Sequence, residues 1–333
     1  MKLRDCELDS KGISMAPFIR REPEEAWQRA INRGQIPASL FELYRLAGYS
    51  SFDAAPPFLK DGDNVLFSYF NLILRSLALS LVEADEELAQ FIAANKELYY
   101  PGRRIDDATW TKEKTEITSK NANDRFRNLL MSLHAALDVL AELIAVFGQG
   151  QIKGLEVGYG QFSRIEAWLK SGPPKTNLIA TPSDLYLLDL HAKLDPLVNA
   201  VAPQADWLPY LRMLRNKAAH LGHGFFRSAG LPGNDGSYYT FIPRVWPYIW
   251  ERDMKPSGLQ APISLKDMFL ETLLHQDIIE YAEGARHKVR DVIDEALKIT
   301  CKAYADFAPF TFNQAALDEL NQNSKHFAFE HFL

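Results

Sequence analysis

Through most of this chain apolar residues recur at intervals of three and four, the period of a helix buried along one side. The clearest run is 121–147, where Phe126, Leu130, Leu133, Leu137, Leu140 and Ile144 form one stripe. Upstream, 64–98 contains neither glycine nor proline and sets Leu66, Phe70, Ile73, Leu77 and Leu81 at helical spacing. Between them, 99–119 is mixed in charge and irregular, so the two long helices are expected to pack as an antiparallel pair. Shorter helices are predicted over 23–32, with Glu22, Glu24 and Glu25 at the positive end and Trp27 and Ile31 four apart, and over 38–46. Two more fall at 162–169 and 183–200, on either side of the Gly172-Pro173-Pro174 break. A last helical region, 264–307, offers Ile278, Tyr281, Ala285, Val289, Val292 and Leu297 as a core face.

One segment breaks the pattern. Residues 238–250 are rich in aromatic and β-branched side chains and contain Pro243 and Pro247, which predicts one or two short edge strands or an extended aromatic loop. The expected fold class is therefore all-α, a helical bundle with a small aromatic β or loop insertion. The expected division is an N-terminal helical extension (1–62), a main helical domain (63–310, insertion 225–262) and a C-terminal tail or short helix (311–333).

Composition adds exclusions. With 47% apolar and 24% charged residues the chain can build a substantial core. A net charge of −6 rules out a uniformly basic surface and confines any nucleic-acid contact to a patch. Two cysteines, Cys6 and Cys301, exclude a Cys-rich zinc module and a disulfide framework, and two free thiols is the simpler reading of them. The charged N-terminus does not read as a secretory signal, and no uninterrupted apolar run approaches the ~20 residues of a membrane span, so a cytoplasmic protein with no membrane partner is expected.

Against the acidic whole, the stretch 207–234 has no Asp or Glu at all, yet carries Arg212, Arg215, Lys217 and Arg227. It reads as a place for an anion. Asp206 is a plausible N-cap, Pro209 falls in the first turn, and Gly222 and Gly224 close the far end, which brackets a helix. At about 100 degrees per residue, Trp207, Leu211, Leu214, Ala218 and Leu221 form its apolar stripe. Asn216 and His220 share the opposite face, flanked by Arg215 and Lys217. An imidazole with a pKa near ~6.5 can exchange a proton at neutral pH, and a guanidinium can grip two phosphate oxygens.

The run Arg215-Asn216-x-x-x-His220 resembles the signature of the HEPN superfamily, in which an Arg, a following polar residue and a His occupy one helix of an all-α bundle. Two further features are similar to larger prokaryotic HEPN proteins: the long helix with Arg127-Asn128 and 137–140, and the 242–247 segment after the motif. The resemblance extends over about 64–307. It implies a metal-independent endoribonuclease acting as a homodimer, often a toxin or antiviral defence effector, whose substrate is RNA and which needs no cofactor and no metal. Under it His220 is the general acid or base, Arg215 stabilises charge on the phosphorane, and Asn216 positions the reacting group. Lys217, Arg212, Arg127 and His223 are candidate substrate-binding residues, and a neutralising or defence-complex protein is a possible partner.

Plainer readings stand beside these. Arg215, Lys217 and His220 lie toward the C-terminal half of their helix, where cations complement its dipole. A non-catalytic HEPN-like module that binds a nucleotide or a protein, or a plain helical adaptor, would carry the same pattern. Arg127, His134 and Asp138 make a second polar ladder on the long helix. Read functionally, Arg127 adds a cation and Asp138 holds the imidazole of His134; read structurally, the latter two are an i, i+4 pair on a half-buried flank. His223 fits a polar turn as well as a phosphate contact, and the aromatic run 238–250 fits crevice packing better than base stacking. Glu283 and His287 have the same spacing but no third ligand, and neither a P-loop nor a Gly-x-Ser-x-Gly elbow is present.

Overall fold

A computed structural model describes residues 24–49, 65–98, 112–172, 181–199, 207–208, 211–212, 214–216, 229–232, 238–241 and 278–306. The helices are α1 (Glu24–Asn32), α2 (Ala38–Tyr49), α3 (Val65–Leu98), α4 (Lys112–Gly148), α5 (Phe162–Lys170), α6 (Pro182–Val198) and α7 (Ile278–Asp306). Two short strands, β1 (Ala229–Pro232) and β2 (Tyr238–Phe241), pair antiparallel with Gly230 opposite Thr240. The fold is all-α, with this hairpin the one sheet among the described residues.

The centre is the α3–α4 pair. Tyr69 reaches Glu142 and Phe70 packs on Phe147, whereas Glu87 reaches Arg125 and Phe91 packs on Phe126, so rising numbers on one helix meet falling numbers on the other. The pair is antiparallel, as the two apolar stripes predict. Every member of the α4 stripe, from Phe126 to Ile144, is buried, together with Leu66, Phe70, Ile73, Leu77 and Leu81 of α3. Both helices contain a stretch long and apolar enough, by length and composition alone, to cross a membrane. A search for uninterrupted apolar runs misses these stretches because isolated polar residues such as Asn71 and His134 divide them.

α7 closes the bundle against α2, α6, α4 and α3. Tyr281 meets Phe126 and Tyr304 meets Phe70, which sets α7 parallel to α4. The early helices join the same core through Trp27, Ile36, Leu40 and Leu43. Arg286 donates to both carboxylate oxygens of Asp85, at 2.6 and 2.9 Å, and to the carbonyl of Gly34 at 2.6 Å. Arg290 donates to that carbonyl too, and Ser39 Oγ to Asp294 at 2.5 Å. α6 starts with a capping box: Thr181 Oγ1 accepts from the Asp184 amide, the Asp184 carboxylate accepts from the Thr181 amide, and Pro182 occupies the first turn, where no N–H is needed.

Two boundaries depart from the sequence reading: α2 runs on to Tyr49 where an end at 46 was expected, and the start of α4 moves upstream. α4 begins at Lys112, inside the segment expected to be irregular. Residues 112–120 carry no apolar stripe, and Ile117 is exposed, but Lys and Glu are good helix formers and no glycine or proline intervenes before Gly148. An existing helix extends at little cost without a buried face of its own. In the C-terminal helical region the expected 264–277 lies outside the described residues, as do 242–250 of the aromatic segment.

The packing makes a direct contrast. Leu137→Ala, at a fully buried position of α4, should lower the unfolding free energy by about 2–5 kcal/mol. Leu79→Ala, on the exposed side of α3, should change it by no more than about 0.5 kcal/mol. Urea denaturation of the two variants measures both.

Candidate functional site

The motif segment is helical at each of its described positions, 207–208, 211–212 and 214–216. Trp207, Leu208, Leu211 and Leu214 are all buried, and this apolar side fastens the segment to the bundle. Trp207 donates its indole N–H to the carbonyl of Leu197 at 3.1 Å, and the Lys288 ammonium lies 6.0 Å over its ring. Burial lowers the Lys288 pKa. Arg215 and Asn216 follow as half-buried residues. Lys217, His220 and His223 lie outside the described residues, as do Ala218 and Leu221 of the predicted stripe.

Arg215 does not simply leave the helix toward solvent. Its Nη2 sits astride the imidazole of His134, 2.9 Å from Nε2 and 3.0 Å from Nδ1. Asp138 Oδ2 lies 3.0 Å from that same Nδ1. Asp138 fixes the ring from its Nδ1 side, and the Arg215 guanidinium rests against the imidazole at nearly equal distance from both nitrogens, in line with neither lone pair. The other oxygen of Asp138 accepts the backbone N–H of Phe162 at 2.9 Å. Phe162 is the first residue of α5, whose own N-cap, Gln161, contributes no side-chain hydrogen bond. Asp138 thus satisfies an orphan amide at the positive end of one helix while orienting a histidine on another. Among the described residues the buried Arg215 Nε has no hydrogen-bond partner.

The ladder on α4 and the motif Arg therefore form one cluster across 81 positions of sequence. The sequence reading weighed them apart and favoured a structural role for His134 and Asp138. The i, i+4 ion pair is there, and the guanidinium of Arg215 is added to it. Arg127, two turns before His134 on the same helix, is half-buried and meets no partner among the described residues.

Arg212 has a different setting. It donates to Glu166 at 2.7 Å, and Lys170 donates to the other oxygen of the same carboxylate, also at 2.7 Å. Glu166 is buried, so these two cations are what keep an ionised carboxylate tolerable there. The window free of acids in sequence is not free of them in space: α5 brings Glu166 to Arg212, and α4 brings Asp138 within one side chain of Arg215.

One turn beyond Asp138, Glu142 was not singled out by the sequence reading. Its carboxylate accepts the backbone N–H of Gly158 at 2.7 Å, that of Gly160, and the Tyr69 hydroxyl at 3.0 Å. Burial pushes the Glu142 carboxyl above its ordinary value of 4.5, and the charge of Asp138 adds to this; the hydrogen bonds from Gly160, Gly158 and Tyr69 act against it. Burial likewise raises Tyr69, with the Glu142 carboxylate contributing. Gly158 holds φ at 90°, where a side chain would be strained. At Gly160 a Cβ would stand 2.6 Å from the Glu142 backbone nitrogen. The sequence signal for this anchor was the spacing 134, 138, 142 followed by a glycine-rich turn.

Among the described residues no group of three His, Cys, Asp or Glu side chains is arranged to hold a metal. Cys301 is a buried free thiol, pushed up to about 12 chiefly by burial. Comparison with models of known protein families, with curated proteins and with solved structures finds no match for this chain.

Two outcomes test the anchor. The folded chain holds the Glu142 proton more tightly than the unfolded chain, so this group's contribution to stability falls as pH rises from 4.5 through the raised folded value. The unfolding free energy of wild type minus that of Glu142→Gln, measured by denaturant titration, should therefore decline between pH 4.5 and neutrality; a level or rising difference contradicts the assignment. Gly160→Ala should destabilise by about 1–3 kcal/mol or more, because the contact is with backbone that cannot turn aside.

Proposed function

We propose that this chain is a metal-independent endoribonuclease of HEPN type, working as a homodimer in the cytoplasm, with a toxin or antiviral defence role. The reading starts from the resemblance carried by Arg215, Asn216 and His220. What supports it in three dimensions is Arg215 itself. A helix anchored by four buried apolar residues delivers this cation to the polar flank of α4, where it rests on His134, itself paired with Asp138, and its Nε has no partner among the described residues.

In the proposed reaction His220 withdraws the proton of a ribose 2'-hydroxyl, whose oxygen attacks the adjacent phosphorus. The P–O5' bond breaks, the departing oxygen takes a proton, and a 2',3'-cyclic phosphate remains. The His220 of a second copy is suited to donate that proton across the interface. Arg215 neutralises the charge that builds on the phosphorane, and Asn216 positions the attacking group. Lys217, Arg127 and His223 extend the contact to neighbouring phosphates. Arg212, bound to Glu166, contributes through the shape of the helix and its remaining donors. A neutralising or defence-complex protein is the expected further partner.

A second reading, a non-catalytic HEPN-like module for a nucleotide or a protein, draws on one specific observation. Arg212 and Arg215 both meet groups of their own chain, as cations with a structural role do.

RNA incubated with the protein and an excess of chelator separates the two. Wild type should cleave, leaving cyclic phosphate ends, and His220→Ala and Arg215→Ala should each lower kcat by about a hundred-fold or more. Equal cleavage by wild type and His220→Ala removes His220 from the mechanism. An inert wild type that still binds nucleotide favours the second reading.

A further inference from the structure

We propose that the glycine turn between α4 and α5 is a docking site for single-stranded RNA, with Tyr159 as a platform for one unpaired base and Arg164 and Lys153 as contacts for the neighbouring phosphates. The choice of RNA rests on the ribonuclease reading; the site rests on how the turn is built. Tyr159 is 57% exposed, an aromatic ring left in water on backbone that is held fast. The Glu142 carboxylate accepts the N–H of the residue before it, Gly158, at 2.7 Å, and that of the residue after it, Gly160. The Tyr159 amide itself donates to the Glu156 carbonyl at 3.1 Å. With this backbone tied inward, the ring is the part of residue 159 that faces out. It has only two side-chain torsions to fix, so a base that stacks on it orders little else.

Arg164, exposed in the first turn of α5, is laid flat on the same turn. A Cβ built on Gly154 would stand 3.6 Å from Cζ, Nε and Nη1 of Arg164 alike. Equal distances to three atoms of one plane put the face of the guanidinium against the turn, so its N–H groups, which lie in that plane, run along the surface. The cation is set down before any anion arrives and keeps its fork for phosphate oxygens. Lys153, next to Gly154, is exposed as well. Among the described residues neither cation meets a carboxylate, and Glu156 is the one exposed acid of 149–161.

Position along α4 joins this turn to the motif. The flank of α4 holds the turn at Glu142, the start of α5 at Asp138 and Arg215 at His134. The rise from His134 to Glu142 is about 12 Å at ~1.5 Å per residue, a span that a few nucleotides of unpaired strand cover. A strand whose scissile phosphate lies at Arg215 thus reaches Tyr159 along one helix. An aromatic face beside cations suits such a strand, since every base has a π face and every nucleotide a phosphate. A duplex keeps its bases in the stack and has none to lay on the ring.

The probe is a labelled single-stranded oligoribonucleotide with 2'-O-methyl groups, which has no free 2'-hydroxyl to attack with, followed by fluorescence anisotropy. Tyr159→Ala should weaken its binding about five- to a hundred-fold, and Tyr159→Phe should stay within about two-fold of wild type. Arg164→Ala should make the fall of log affinity with log salt shallower by about 0.7, the share of one phosphate contact. A duplex of the same sequence should bind wild type and Tyr159→Ala equally. In cleavage of an unmodified strand, Tyr159→Ala should raise KM with kcat little changed, and a dinucleotide, too short to reach the turn, should be cut as by wild type. The urea midpoint of Tyr159→Ala should match wild type, because the ring is exposed. Wild-type affinity in Tyr159→Ala overturns the site, and so does a Tyr159→Phe as weak as Tyr159→Ala, since stacking needs only the ring. Lost affinity accompanied by a lost dimer in sedimentation also overturns it and assigns the ring to a contact between copies. If wild type binds the strand but cleaves no RNA, the ribonuclease reading fails by itself and the docking site is judged on anisotropy; if wild type binds no single strand, the docking site fails.

Discussion

The polar flank of α4 constrains the rest of this molecule. A helix whose opposite side is buried from Phe126 to Ile144 carries His134, Asp138 and Glu142 one turn apart. None of the three is fully exposed, so each needs partners from elsewhere in the chain. Glu142 takes the two amides of the glycine turn and the Tyr69 hydroxyl, Asp138 takes the first amide of α5, and His134 takes Arg215. The glycine turn after α4 and the start of α5 are both tied to that one flank, and the motif segment, fastened by its apolar side, brings Arg215 to it.

The same arrangement explains why structural and functional roles are hard to pull apart here. Asp138 is at once the cap of α5 and the orienting group of His134, so geometry needed for folding is also geometry available for chemistry. Arg212 and Arg215 stand three residues apart on the same segment but meet different conditions. One closes a buried carboxylate already shared with Lys170; the other rests on an imidazole that is itself paired with Asp138. Sequence proximity does not make two cations equivalent, because the charges opposite them come from different helices.

Much of the architecture was legible in the sequence because it rests on periodicity. The stripes of α3, α4 and α7, the antiparallel pairing of the first two and the buried side of the motif segment were all readable from apolar spacing. The start of α4 was not, since 112–120 is helical without an apolar stripe and continues the helix whose buried stripe lies further on. The site was half legible. Arg215, Asn216, His134 and Asp138 each stood out, but the meeting of Arg215 with His134 and Asp138 depends on tertiary packing across 81 positions, to which a local window is blind. The absence of acids from 207–234 misled in the same way: it described a segment, whereas Glu166 and Asp138 reach it from other helices. Glu142 was overlooked because its two signals, the 134, 138, 142 spacing and the glycine-rich turn, are far enough apart that only the fold shows the turn's amides bound to it.

The double clasp on Gly34 has a temporal side. Arg286 and Arg290 hold the loop between α1 and α2 by its carbonyl, and α2 rests on α7 more extensively than on α3. A ribosome delivers those early helices some 250 residues before the helix that receives them. Throughout elongation α2 lacks the helix it rests on most, and the bundle reaches its finished form only once α7 has been released. Assembly of this protein therefore waits on its last long helix, and a chain truncated ahead of α7 would leave α2 with only its smaller contact on α3.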